Sequence, residues 1–344
     1  MATLSEAAQL SKKGLRWIVI SGVVILGLVI LLILGQTIKN IIFPPKSLPP
    51  TVAFGKVPKL DLSEGIKPPG GVTYSLETIS GQLPNLPSSV KVFVAAGEES
   101  SFGALQRTEI MVAKVGFTTE PQNISGNIFK FIDPKKTDRS ITVNVASGNF
   151  QLTSNFSQDT QAISTRPKTV EDAIGRAVEF FNNFELKTKE FPKEKVETRF
   201  LRIDGNNLTQ TPALGSANLV EVNFKRTDLD KLPIITPQES SPSAQALVSQ
   251  NSIVAAQLSK LAIERYKFST YPLKGTTKAF EDLKAGKGYL NKEPENRSQI
   301  PIRDVSLAYL ETKKSQGFLQ PVYVFKSDKG LIAYVSAVDG AWTK

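Results

Sequence analysis

The sequence predicts an α+β protein: an N-terminal transmembrane helix followed by tandem units of one helix packed on a short antiparallel sheet. Three observations predict it. Residues 17–38 carry no charge, three later stretches repeat apolar residues at helical spacing, and the stretches between them alternate apolar and polar residues. The expected organisation is a cytoplasmic N-terminus over 1–16, the membrane span over 17–38 and a Pro/Gly-rich stalk over 39–71. A first extracytoplasmic α+β unit follows over 72–165, and a second extracytoplasmic region with two further units over 166–344.

The span comes first. From Trp17 to Gly35 the only polar side chain is Ser21. A bilayer core about 30 Å thick needs roughly 20 apolar residues in helical form. A helix apolar on every side suits lipid, because its backbone groups are satisfied internally. The run exceeds the roughly 7–15 apolar residues of a signal peptide, and "QTIKNIIFPPK" behind it offers no Ala-x-Ala cleavage pattern. Lys12, Lys13 and Arg16 precede the span, whereas only Lys39 and Lys46 follow closely. The positive-inside tendency makes those three residues topology-setting: N-terminus in the cytoplasm, bulk of the chain outside. The lipid bilayer is thus the expected partner of residues 17–38, with Trp17 at its cytoplasmic edge.

Composition limits the chemistry. The 344 residues include no His and no Cys. That removes the usual general base near neutral pH, thiol nucleophiles, disulfides, and the imidazole and thiolate ligands of metal centres. No cofactor is expected. Of the net charge of +10, the first 43 residues contribute four Lys/Arg against one acid, leaving 38 against 31 beyond them, a net +7. A basic exterior attracts anionic polymers or lipid headgroups, although dispersed charge also simply keeps a domain soluble. No nucleic-acid-binding motif accompanies the charge, so nucleic acid is not an expected partner.

The later elements follow in order. Seven prolines and four glycines between Pro44 and Gly71 oppose regular structure and favour an extended spacer, though "TVAFGKVPKL" could instead add an edge strand. The first helix, "SSFGALQRTEIMVAKVGF", has a Ser100 or Ser101 cap, a face of Leu105, Thr108, Met111, Val112 and Val115, and Gly116 as its stop. In the second, "RPKTVEDAIGRAVEFFNNF", Thr169 and Asp172 approximate a capping box, and Val170, Ala173, Ile174, Ala177, Phe181 and Phe184 form the stripe. The third, "KGTTKAFEDLKAGKGYL", is capped by Thr276 or Thr277, with Ala279, Phe280 and Leu283 inward and Gly286 at the end. Strands such as "SVKVFVAA", "SITVNVAS", "NLVEVNFKRT", "QPVYVFKS" and "LIAYVSAV" fill the spaces, each read as half-buried with one face on a core. "DG" at 204–205 and "SDKG" at 327–330 read as hairpin turns. The segment 233–249, interrupted by proline and serine, reads as a mobile loop.

A helix followed by about three antiparallel strands ending in "LIAYVSAVDGAW" resembles the PepSY-type unit. The chain resembles YycH/YycI-type membrane-anchored proteins, on "YPLKGTTKAFEDLKAGKGYL", "VSLAYL", "QPVYVFKS" and the terminal "AYVSAVDG". The resemblance covers Tyr271–Trp342, with weaker echoes around the first two helices. It implies that one N-terminal helix holds tandem PepSY-like units outside the cell. It further implies action by binding or restraining partners, a sensor kinase among them, and not by catalysis.

Each candidate for chemistry has a bland alternative. Ser88 and Lys91 have Ser-x-x-Lys spacing but sit at a strand start without the companion motifs of that hydrolase class. Glu98/Glu99 and Glu281/Asp282 are the dense carboxylate pairs; the first suits a helix start, and the second reads as solvated charge on a helix's outer side. "DGNN" at 204–207 and "DLD" at 228–230 lack the ligands of a calcium loop. Asn123, Asn155, Asn207 and Asn296 stand in Asn-x-Ser/Thr, which matters only in a secreted eukaryotic chain. Tyr271, Tyr289 and Trp342, at element ends, are the candidate partner-binding residues, lining a groove for a peptide strand or polymer. The expected function is a single-pass, membrane-anchored extracytoplasmic binding or regulatory protein of the cell envelope, with a protein or envelope-polymer partner. The alternatives are an envelope hydrolase using paired carboxylates and a surface fibre or adhesin subunit.

Overall fold

In the computed structural model, residues 48–344 are described apart from 98, 160–163, 187–188, 206, 239–240, 296–298 and 315. The membrane span expected over 17–38, with Lys12, Lys13 and Arg16, lies outside the described residues. No helix among the described residues is long and apolar enough to cross a membrane.

The chain begins with β1 (Thr73–Leu76), β2 (Ser89–Ala95) and α1 (Ala104–Ala113). Next come β3 (Gln122–Ser125), β4 (Ile128–Ile132), β5 (Ser140–Asn144), β6 (Phe150–Thr153) and α2 (Val170–Asn182). The middle holds β7 (Val196–Asp204), β8 (Asn207–Thr211), β9 (Leu219–Phe224), β10 (Ile234–Ile235), β11 (Ala244–Val248), β12 (Ile253–Leu258) and β13 (Ile263–Pro272). Last are α3 (Thr276–Asp282), β14 (Tyr289–Leu290), β15 (Gln299–Ile302), β16 (Asp304–Leu310), β17 (Phe318–Lys326) and β18 (Ile332–Ser336).

These elements do not form tandem units of one helix on its own short sheet; the protein is mostly β, with large sheets. Nine strands make one sheet in the order β3-β4-β5-β6-β12-β11-β9-β7-β8, antiparallel throughout. The physical reason lies at β6. Left alone, β3–β6 would present an unpaired edge, and β12 pairs with it at Leu152↔Ala256 and Phe150↔Leu258. Strands on both sides of residue 165 are thereby fused into one layer. Both α1 and α2 pack on it: Val112, Ala173, Ala177, Phe180 and Phe181 share a core with Phe150, Val220, Val222, Ala244 and Ala246. The Thr169 cap is realised, its side chain accepting from Asp172 N at 3.1 Å.

The segment read as a mobile loop contains β11, which lies between β12 and β9. Its inward residues are Ala244, Ala246 and Val248, all 0% exposed. The alternation was there, but with side chains too small to register as a strand signal beside neighbouring prolines.

A second sheet runs β10-β16-β17-β18-β14, and β2 joins its β17 and also pairs β13. Its central strands are buried on both faces. Val305, Leu307, Tyr323, Phe325, Ala333 and Val335 face α3 through Ala279, Phe280 and Leu283. The intervening Ala308, Leu310, Val322, Val324 and Tyr334 face Leu60 and Leu62. Strands buried on both sides read as near-continuous apolar runs, and such a sheet needs two covers. The second cover is the described part of the expected stalk. Val57 N donates to Trp342 O, Lys59 N to Lys344 O and Thr51 N to Thr270 O, each at 3.0 Å, and Ile66 exchanges backbone bonds with Leu290. Residues 49–66 are therefore a strap on the sheet, and Pro49–Lys344 forms one unit.

A buried ionic joint ties the two sheets. Arg226, just beyond β9, donates to the carboxylates of Glu311, just beyond β16, and of Glu190, and to Leu261 O at 3.1 Å. Lys260 reaches Glu190 at 2.9 Å, and Ser243 donates to Glu311. Burial raises the Glu190 pKa, but the charges of Arg226 and Lys260 outweigh it and hold the carboxyl below its ordinary value.

Candidate functional site

Three segments far apart in sequence converge on a cleft of about 880 Å³: the strap and the residue just after it (Lys59, Asp61, Lys67), the stretch from the end of β13 to the turn after α3 (Lys274, Lys278, Asp282, Lys287), and the C-terminal run (Val338, Asp339, Gly340, Thr343, Lys344). Its lining holds six lysines against three aspartates, and no arginine. The strap builds one wall, so the cleft depends on residues expected to be spacer.

Asp282 organises the floor. It lies three residues after Ala279, hence on the inward face of α3, and is 5% exposed. Lys274 meets one carboxylate oxygen at 2.9 Å and Lys287 the other at 3.0 Å. Burial pushes the carboxyl up, but hydrogen bonds from these two lysines more than compensate, and its pKa lies below the usual value. The expectation that both Glu281 and Asp282 face solvent is thus corrected: Glu281 is exposed beside Lys278 at 3.4 Å, and Asp282 is buried. The other acids are also engaged. Asp61 bonds Lys314 at 2.8 Å, which holds its pKa far below the ordinary range. An Asp339 oxygen accepts from Ala341 N at 2.9 Å. Lys59, Lys67 and Lys344 have no ion-pair partner among the described residues.

Of the aromatic candidates, Tyr289 lines this cleft, half-buried against Leu60, Leu62 and Tyr334. Tyr271 and Trp342 come together elsewhere, in a cluster with Val57, Val92 and Val338. There Tyr271 is 0% exposed, and its hydroxyl donates to Gly55 O at 2.8 Å. The strap itself, through Val52, Phe54 and Val57, packs on these two aromatics.

The remaining motifs have structural duties. Lys91 pairs with Asp230 at 2.7 Å, and Lys195 with Asp228 at 2.6 Å. Asp204 and Gly205 turn the β7–β8 hairpin, Gly205 at φ 61°. Glu99 is exposed, and Glu98 lies outside the described residues. Among the described residues no group of three or more acidic, His or Cys side chains could hold a metal ion.

The lysine cleft was missed because its members are dispersed in sequence. One local signal existed: an acid on the apolar face of a short helix with a lysine on either side, at 274 and 287. Compared with protein-family models and with curated proteins, the chain finds no match.

Proposed function

We propose that the protein is a membrane-tethered extracytoplasmic binding protein of the cell envelope, acting through the lysine-lined cleft and not by catalysis. The observation that carries the reading is the state of the cleft's carboxylates. A carboxyl that serves as general acid near neutral pH needs a raised pKa, and glycosidic chemistry needs a convergent second carboxylate beside it. Asp282 and Asp61 are both held below their ordinary value by lysines, and Asp339 caps a turn. What these acids leave is a concave basic surface, suited to holding a partner. The uncharged run of residues 17–38 and the cations before it support the tether and its direction. The resemblance of Tyr271–Trp342 to YycH/YycI-type proteins points the same way, toward restraint or presentation of a partner.

The test is photocrosslinking in intact cells, with p-benzoylphenylalanine in place of exposed Lys67 in the cleft or of exposed Lys114 on α1's far end. The expected result is a discrete adduct from position 67 that position 114 does not give. The same adducts from both positions, or none from 67, contradict the reading.

A further inference from the structure

We infer that the cleft takes an oligoanion carrying two or more anionic groups; this deepens the binding reading above and rests on it. The inference begins with the distribution of charge. Beyond residue 43 the chain carries a net +7, and the cleft alone holds an excess of three lysines over aspartates. Asp282 is consumed by Lys274 and Lys287, and Asp61 by Lys314, which is not in the lining. That leaves Lys59, Lys67 and Lys344 without an ion-pair partner among the described residues, Lys59 and Lys344 on backbone-paired segments, with Asp339 the one acid of the lining not paired to a lysine. Like charges brought together in a concave site repel one another, and the low-dielectric walls focus their field on whatever occupies it.

The donor type sets how the ligand is read. Arginine forks match carboxylates and phosphates alike in bidentate pairs, whereas lysine is a compact point charge that answers to anionic charge and not to the shape of the group. The cleft has lysines only, and a single aromatic, Tyr289, so stacking of flat rings contributes little to recognition. Its volume of about 880 Å³ far exceeds one phosphate, and its cations come from three separate segments. A ligand bridging them must present charge at more than one point. The buried Asp282 acts as a positioning residue: it fixes Lys274 and Lys287 on the floor and lowers the repulsion among the six ammonium groups.

The experiment is isothermal titration of the full chain, held in neutral-lipid nanodiscs, with tripolyphosphate and separately with glycerophosphoglycerol, the headgroup of an anionic lipid without its chains. Saturable binding of tripolyphosphate is expected. It should weaken about a hundredfold in Lys59→Gln/Lys67→Gln, on the basis of about tenfold for each charged hydrogen bond removed, and not in Lys114→Gln. Both positions are exposed, so circular dichroism should show these variants folded. At least tenfold weaker binding of glycerophosphoglycerol assigns the ligand as a free polyvalent chain. Equal affinity for the two overturns the multivalent ligand in favour of a single headgroup-like phosphate. No saturable binding, or equal loss in Lys114→Gln, overturns the inference outright. If that happens while the adduct at position 67 persists, the cleft binds something else and the binding reading stands; loss of both removes both.

Discussion

A side chain that does not exist decides how closely the strap sits. A Cβ built on Gly65 would lie 1.7 Å from the Tyr334 hydroxyl and 3.0 Å from Tyr289 Cβ, so only glycine lets the strap pass there. Gly65→Ala should therefore destabilise the protein by about 1–3 kcal/mol through overpacking, read as a lower thermal midpoint, whereas Gly70→Ala meets open space and should change little. Arg226, with its side chain 3% exposed, is the other sensitive residue. Arg226→Met leaves Glu311 buried and unpaired and should cost about 3–5 kcal/mol in chemical denaturation. Titration follows from the same residues. Glu190, Asp282 and Asp133 have folded pKa values below their ordinary 4.5, 3.8 and 3.8, so the stability they contribute is complete above those values and lost as pH falls through the lower folded ones. Tyr74 and Tyr323 are pushed by burial from 10.0 to about 12, so their contribution is lost as pH rises through that window. With no histidine to titrate between, stability measured against pH should be level from about pH 5 to pH 9 and fall on both sides. A step near pH 6.5 would contradict this.

Among the elements, local signals and long-range pairing parted company. The three helices, the Thr169 cap and the turns at 204–205 and 327–330 were legible, because each rests on residues within a few positions of one another. The pairing of β6 with β12 was not, since an edge carries no label for a partner a hundred residues away. β11 hid behind small residues. The uninterrupted apolar runs of β16–β18 carry the signal of a second cover: strands with both faces buried call for two layers, α3 on one side and the strap on the other. Removing residues 1–66 should therefore expose Ala308, Leu310, Val322 and Val324, giving dye-binding apolar surface and broad unfolding, whereas removing 1–48 should leave a sharp transition. Equal cooperativity of the two truncations would show that the strap is dispensable.

At the scale of the whole molecule, the strap serves both the core and the cleft. The same residues that follow the apolar run cover the C-terminal sheet, pack on Tyr271 and Trp342, and supply Lys59 and Lys67 to the cleft. Composition announced the lack of thiol or imidazole groups; it could not announce the cleft, which exists only after residues 59, 274 and 344 meet. The account stands on the bulk of the chain lying beyond the cytosol. Because the chain has no cysteine, a single introduced one reports location without background. A membrane-impermeant maleimide applied to intact cells should label Ala285→Cys, an exposed position beside the cleft, and should label Ser5→Cys only after permeabilisation. Labelling in the reverse order would contradict the account.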